Sequence, residues 1–274
     1  MLFAHISDLH LRPGRPRARD LSGKRLLGGA NLLFHRGRIH RNEAMERIRD
    51  DFGAVGVQHV LCTGDLVNLS LDEEFAFAHE SLSRLWPRER TTLIPGNHDC
   101  YVASSIGRFE SVFGIGPFPT VTRLPDATVI GLCTAHPSAP GLAVGTLGPD
   151  QLSRLDRMLA EEQGAFRVVL VHHHVVDDHG GRFNSLRDSA ALRRVLLHCG
   201  AELVLHGHLH KDVRYAVPGP RGPIPVIGAG SATLVGSRDP ARRARYNLYD
   251  IRQGRLVETH TRVYDRARDA FATA

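Results

Sequence analysis

The stretch Thr91-Thr92-Leu93-Ile94-Pro95-Gly96-Asn97-His98-Asp99 decides how the rest of the chain is read. Thr91 to Ile94 is β-branched and aliphatic, which predicts a short strand. Pro95-Gly96 stops it, because proline cannot continue a ladder and glycine permits a sharp turn. An amide, an imidazole and a carboxylate then stand together at the strand's end. The same pattern recurs outward in both directions. Leu2 to Ser7 reads as a buried strand and runs into Asp8-Leu9-His10. Val57 to Thr63 runs into Gly64-Asp65, and Val168 to Val171 ends at His172. Leu203 to Leu205 ends just before Gly207-His208-Leu209-His210.

Helices are expected between these strands. Asn42 is placed to cap one through about Phe52, with Ala44, Ile48 and Phe52 on one face. Ser70-Leu71-Asp72-Glu73 has the S-x-x-E form of a capping box and precedes Phe75, Ala78, Leu82 and Leu85 at helical spacing. Pro149 opens a helix to about Glu162, with Leu152, Leu155 and Leu159 inward, and Asp188 caps another to about Cys199. Thr128 to Thr134 predicts a further strand. Pro225 to Ile227, Asn247 to Ile251 and Leu256 to Val263 read as closing antiparallel strands. Alternating strands and helices that give way to strands fit an α/β chain. One domain over residues 1–274 is expected, with a basic insertion at about residues 11–41.

The strand ends carry a definite chemistry. Together they offer carboxylates, one amide and at least four imidazoles, the donor set that holds two divalent metal ions side by side. Such a pair suits phosphate-ester hydrolysis. Residues i and i+2 of an extended segment point the same way, so Asp8 and His10 are expected to face one ion, and His208 and His210 a shared pocket. Imidazoles beside carboxylates favour Mn, Fe or Zn over Mg or Ca.

The ordered pattern D-x-H, G-D, G-N-H-D, H, G-H-x-H resembles the calcineurin-like metallophosphoesterases. The resemblance implies a four-layer α-β-β-α sandwich of two mixed sheets with helices outside. It implies Asp8, His10, Asp65 and His210 around one ion. Around the other it implies Asp65, Asn97, His172 and His208, with Asp65 bridging. It further implies that His98 faces the substrate and assists the leaving oxygen, while Asp99 orients the His98 imidazole. The family commonly has His-x-Pro where this chain has His172-His173-His174, so His174 stands in the proline slot. His136 and His174 are candidates to contact substrate. His206 is expected in the core or behind the ligands. His5, His35, His40, His59, His79, His179, His198 and His260 are read as structural or exposed.

Departures from other members narrow the substrate. Purple acid phosphatases place a tyrosine where this chain has Asn68. Ser/Thr protein phosphatases end the central motif in Glu, whereas this chain ends it in Asp99. Diacylglucosamine pyrophosphohydrolases usually have Arg at the place of His98. Repair nucleases add a capping domain, and the residues after His210 look spent on finishing the sheets. The pattern is most similar to bacterial phosphodiesterases related to class III cyclic-nucleotide phosphodiesterases. A phosphodiester, nucleotide or lipid-linked, is the expected substrate, with a monoester as the alternative. A metal-binding scaffold is disfavoured because scaffolds of this fold tend to lose ligands that this chain keeps.

Composition adds boundaries. The chain has 274 residues and a formal net charge of +6. Nine Lys and Arg against one acid lie between residues 12 and 41, so the remainder is net negative. Three readings of this insertion stay open. It is a solvated loop that draws in anions, a cap for a lipid phosphate or membrane surface that uses Leu26, Leu27, Leu32, Leu33 and Phe34, or a nucleic-acid track. The last is disfavoured by the single aromatic, Phe34. Four scattered cysteines, Cys62, Cys100, Cys133 and Cys199, form no C-x-x-C and indicate no disulfide framework. No apolar run is long enough to cross a bilayer. With Asp8 and His10 as ligands, the first strand belongs to the fold and not to a signal peptide. A cytoplasmic protein is expected, peripheral at the inner membrane face if the insertion is a lipid cap.

Overall fold

In the computed structural model the described residues are 1–32, 39–176, 181 and 183–274, less the side chains of Leu27, Ala30 and Asn31. The expectations for Leu33, Phe34, His35, Arg36, Arg38 and His179 lie outside them.

Two six-stranded sheets carry the molecule. The first runs β12-β11-β10-β1-β2-β3. Its members are β1 (Leu2–Ile6), β2 (His59–Cys62), β3 (Thr91–Leu93), β10 (Arg245–Arg252), β11 (Arg255–Asp265) and β12 (Ala270–Thr273). The second runs β4-β5-β6-β7-β9-β8. It contains β4 (Thr120–Arg123), β5 (Thr128–Gly131), β6 (Arg167–Leu170), β7 (Leu203–His206), β8 (Val213–Val217) and β9 (Ile224–Gly228). The strands β1, β2 and β3 are mutually parallel, as are β5, β6, β7 and β9. The strands β10, β11 and β12 run antiparallel to their neighbours, as do β4 and β8, so both sheets are mixed.

Alternation along the inner strands shows how the layers stack. In β6, Val168 and Leu170 join a core shared with Ile6 and Leu61 of the first sheet. Val169 and Val171 face a second core with Leu155 and Leu159 of one helix and Leu192 and Leu196 of another. Those helices are α5 (Gly148–Glu161) and α6 (Ser189–Cys199). On the far side, Ile48 and Phe52 of α2 (Ala44–Val55) and Phe75 and Leu82 of α3 (Asp72–Leu85) pack on the first sheet. The expected α-β-β-α order is what the chain adopts.

Several local expectations shift. The β2 ladder is shorter than Val57 to Thr63, and β5 stops at Gly131, not Thr134. Sequence periodicity did not reveal the helix α4 (Ser105–Phe113) or the strands β4, β8 and β12. Ser70 is not a helix cap. The carboxylate that serves the first turn of α3 is Glu74, whose Oε2 accepts from the amides of Leu71 (3.2 Å) and Leu69 (2.8 Å). The Ser70 hydroxyl instead donates to the His98 carbonyl at 2.7 Å. Asp188 does precede α6, but its carboxylate accepts from the amides of Leu147 and Gly148 and so caps α5.

Candidate metal centre

All five motif loops leave the C-terminal ends of parallel strands, β1, β2 and β3 in one sheet and β6 and β7 in the other. Ligands in open α/β sheets gather at that end. Backbone hydrogen bonds join the loops: Asp8 N to Gly64 O (2.9 Å), His10 N to Asp65 O (2.9 Å) and Gly207 N to His172 O (3.1 Å). The extended backbone expected for Asp8 to His10 and His208 to His210 is absent. Asp8, His10, Asp65, His208 and His210 all have φ between 48° and 71°. Non-glycine residues rarely hold this left-handed conformation, and such strain concentrates at functional sites. Two motif glycines make the crowding possible. A Cβ on Gly96 would lie 2.2 Å from Asp65 Oδ1, and one on Gly207 would lie 1.9 Å from Ser7 Oγ.

The seven expected ligands come together as two adjoining nests. In the first, donor atoms of Asp8, His10, Asp65 and His210 all lie within 4.8 Å of one another. Asp8 Oδ1 is 3.2 Å from His210 Nε2, and His10 Nε2 is 3.8 Å from Asp65 Oδ2. In the second, Asn97 Oδ1 is 3.1 Å from His172 Nε2 and 3.0 Å from His208 Nδ1. Asp65 Oδ1 is 3.5 Å from His172 Nε2. Asp65 therefore offers one oxygen to each nest.

Tautomers test whether metal ions fit. A backbone carbonyl can only accept, so the ring nitrogen beside it must carry the proton. His172 Nδ1 donates to Thr63 O (2.7 Å), and His208 Nε2 donates to Asn184 O (3.1 Å). His172 Nε2 and His208 Nδ1 then face each other as lone pairs at 3.3 Å, beside two oxygen acceptors. Burial holds His208 well below the usual imidazole range, which keeps that lone pair. Four acceptors converging without a hydrogen between them suit a cation, and a carbonyl behind each imidazole is the usual support of a metal-ligating histidine. His10 repeats the arrangement, with Nδ1 directed at Val67 O (3.3 Å). Burial works to raise the Asp8 carboxyl, but His210 beside it holds it below the ordinary range, so it too is an anionic donor.

His98 lies at the mouth of both nests. Its amide donates to Asp65 Oδ1 at 2.8 Å, and its ring centroid is 5.0 Å from that of His10. Asp99 does not orient it. The Asp99 carboxylate accepts from the amides of Leu66 (2.9 Å), Val67 (3.1 Å) and Gly96 (2.8 Å), which ties the loop after β2 to the loop after β3. The partner of His98 Nδ1 is Asn68 O at 2.7 Å. Neighbouring side chains diverge, and the Asp99 carboxylate is turned toward these amides and not toward the imidazole beside it.

Residues 1–212 match the calcineurin-like phosphoesterase family. The chain belongs to this family. Its members bind two divalent metal ions. A curated relative, the 3',5'-cyclic adenosine monophosphate phosphodiesterase CpdA of Haemophilus influenzae, is 26% identical over 157 residues, 56% of this chain. The match spans about half of that relative's length (55%). Among solved structures, a dimetal phosphatase from Danio rerio superposes with a TM-score of 0.59 at 15% identity, over 99% of this chain and 98% of that one. The protein TT1561 of Thermus thermophilus gives 0.53 at 15% identity, over 94% and 97%. These likenesses concern the fold.

The remaining histidines of this calcineurin-like centre divide clearly. His173 is fully buried, with Nδ1 2.7 Å from Thr134 Oγ1, and burial lowers its pKa. His174, expected to contact substrate, is 1% exposed and stacks on His208 with centroids 6.2 Å apart. It braces the ligand side and does not line an open cleft. His136 stays partly exposed, with Nε2 3.3 Å from Thr146 Oγ1. His206 is buried as expected, its Nδ1 2.9 Å from Gly207 O.

Residues 12–23 of the insertion are largely exposed, but the described residues after them are docked. The helix α1 (Lys24–Asn31) docks on the loop that follows β2. Leu21 and Leu32 pack with Leu69, Leu71, Tyr101 and Val102. Arg25 donates to the carbonyls of Leu69 (3.0 Å) and Ser70 (2.8 Å). Lys24 sits 4.3 Å above the Tyr101 ring and reaches Ser138 Oγ at 3.3 Å. Tyr101 in turn stacks on His98, with centroids 5.8 Å apart. The insertion thus places a cation beside the mouth of the centre. It also delivers a residue that sequence reading set aside, His40. The residue is 5% exposed, and its ring lies 4.7 Å, centroid to centroid, from that of His10. A usable signal was its position, where the insertion rejoins the core just before Asn42. No helix among the described residues is long and apolar enough to cross a membrane.

Proposed function

We propose that this phosphoesterase is a phosphodiesterase whose two ions are held by Asp8, His10, Asp65 and His210 on one side and by Asp65, Asn97, His172 and His208 on the other. The observation that carries this reading is the division of the Asp65 carboxylate between two nests of inward lone pairs. When bound, the ions, from Mn, Fe or Zn, supply a water acidified enough to attack phosphorus and positive charge to offset the phosphoryl oxygens. His98 serves the leaving oxygen. Its Nδ1 proton is held by Asn68 O, so a second proton at Nε2 is the one available for transfer, and the carbonyl supports the charged ring. Asp99 acts at a distance, by fixing the two loops that carry Asp65 and Asn97. Lys24 favours an anionic ester at the rim.

A diester is preferred because the curated relative is named as a cyclic-nucleotide phosphodiesterase; the poor alkoxide leaving group of such an ester needs an acid such as His98, as that of an alkyl monoester would. A nucleotide is the first substrate to try. A second reading, work on a lipid-linked ester at a membrane face, rests on Leu26, which α1 leaves 58% exposed among basic residues. The deciding experiment is hydrolysis of bis(p-nitrophenyl) phosphate against p-nitrophenyl phosphate in Mn²⁺, with Asp65→Asn as blank. A strong, Mn²⁺-dependent diester preference is expected. A monoester preference would replace phosphodiesterase by phosphatase. Turnover no better than the blank on either ester would remove the hydrolytic reading for simple esters.

A further inference from the structure

His40 lies outside both nests, yet its surroundings prepare it for them. Its chain neighbours are pinned to the loop that follows β9: Arg41 N donates to Thr233 O (3.0 Å) and Gly236 N donates to Ile39 O (2.9 Å). Its ring stands edge-on to two expected ligands, with centroids 4.7 Å from His10 at 71° and 5.6 Å from His210 at 87°. A ring nitrogen of His40 lies within 4.8 Å of donor nitrogens of both.

The tautomer of His40 follows from hydroxyl bookkeeping. Thr233 Oγ1 donates its only proton to Leu9 O at 2.6 Å, and Ser231 Oγ donates its proton to Asp8 O at 2.7 Å. Both hydroxyls also approach His40 Nδ1, at 2.9 Å and 3.4 Å. Having spent their protons, they can only accept there, so Nδ1 carries the hydrogen and Nε2 the lone pair. The two carbonyls that fix this belong to Asp8 and Leu9, in the ligand loop itself. The support resembles that of a metal-ligating histidine, with hydroxyls in place of a carbonyl.

His40 nonetheless stands at the edge of the first nest. It groups with His10 and His210, but the four-residue set that contains Asp8 and Asp65 does not include it. We propose that His40 is a positioning residue contributed by the insertion: its Nε2 lone pair accepts a hydrogen bond from a water held on the His10–His210 side of the first nest. The insertion would then tune the centre as well as roof it. This rests on the two-ion reading above.

The test uses the full chain. His40→Gly is compared with wild type for Mn²⁺ content, for Mn²⁺ affinity by competition with a chelating dye, and for diester turnover with and without added imidazole. Two ions per chain are expected in both proteins. Outer partners of this kind are worth roughly 10- to 100-fold in affinity or activity, so a loss of that order is expected in His40→Gly, with imidazole restoring turnover. A companion pair guards against misfolding: Thr233→Val should lose Mn²⁺ affinity and Thr233→Ser should keep it. Unchanged affinity and turnover in His40→Gly would overturn the proposal. So would the outright loss of one ion, which would make His40 a ligand, or identical behaviour of the two Thr233 variants. If wild type shows no Mn²⁺-dependent turnover while the affinity differences stand, it is the hydrolytic reading that fails and the placement of His40 that survives.

Discussion

Two regions deliver groups to the same cleft, and they do it by different physics. The strand-end loops place Asp8, Asp65, Asn97, His172 and His208 within a few residues of a ladder, so the sheet itself fixes them. The insertion places Lys24 through side-chain packing, with Leu21 and Leu32 against Tyr101 and Leu69, and His40 through long-range hydrogen bonds to the loop after β9. A ladder is a local, periodic constraint. A packed satellite cluster depends on residues far apart in sequence. Damage to the first should abolish chemistry, whereas damage to the second should tune it.

The sharpest break is Asp65→Asn. It removes the one carboxylate common to both nests, and at least about a 10³-fold loss of turnover is expected, judged against single-group removals worth up to about 10⁴. Metal content should fall while the thermal transition stays cooperative. Two ions per chain in Asp65→Asn would remove the bridging role. Next is His98→Ala, with about a 10²- to 10⁴-fold loss on an ester with a poor leaving group. The loss should be much smaller on a p-nitrophenyl ester, and both ions should remain. Equal losses on the two esters would assign His98 to binding and not to proton transfer.

This order of effects matches the order of legibility. Gly96-Asn97-His98-Asp99 was readable because donor types at the end of a strand admit few uses. The left-handed backbone of Asp8, His10 and His208 was not readable, because it arises from loop-to-loop hydrogen bonds between residues far apart in the chain. The amide contacts of Asp99 were not readable for the same reason: its three partners come from two different loops. Ser70 looked like a helix cap by spacing, but its hydroxyl was claimed by His98 O across the cleft. His40 carried no motif at all. Its place depends on Thr233 and Ser231, nearly two hundred residues away.

The insertion can be loosened without touching the nests. A Cβ on Gly28 would fall 2.4 Å from Tyr101 Oη and 2.7 Å from Leu69 Cδ2. Gly28→Val should cost about 1–3 kcal/mol, as overpacking does. Limited proteolysis within residues 12–41 should accelerate, and KM for an anionic diester should rise several-fold with kcat less affected. Unchanged proteolysis would mean that α1 is not held by this contact. A collapse of kcat to the level of Asp65→Asn would erase the distinction between the two regions.

The smallest expected effect lies where the regions meet. Glu74 Oε2 braces the amides of Leu69 and Leu71, the same segment on which Arg25 and α1 dock. Burial raises its carboxyl from 4.5 to about 7, against the lowering effect of the amides and of Arg25. The folded chain therefore binds this proton more tightly than the unfolded chain. Stability must fall as pH rises from about 4.5 through about 7, and the loss is complete above that. Glu74→Gln keeps an oxygen for the two amides and cannot ionise. It should match wild type near pH 4.5 and exceed it at pH 8, by at most about 3 kcal/mol on the scale of 1.36 kcal/mol per unit. Urea melts at the two pH values measure this. A difference that does not change with pH would mean that Glu74 is already ionised in the fold. A pH-dependent gain would mean that the contact between loop and insertion is held together by a carboxylic acid, and that alkaline conditions loosen the insertion before they disturb the strand ends.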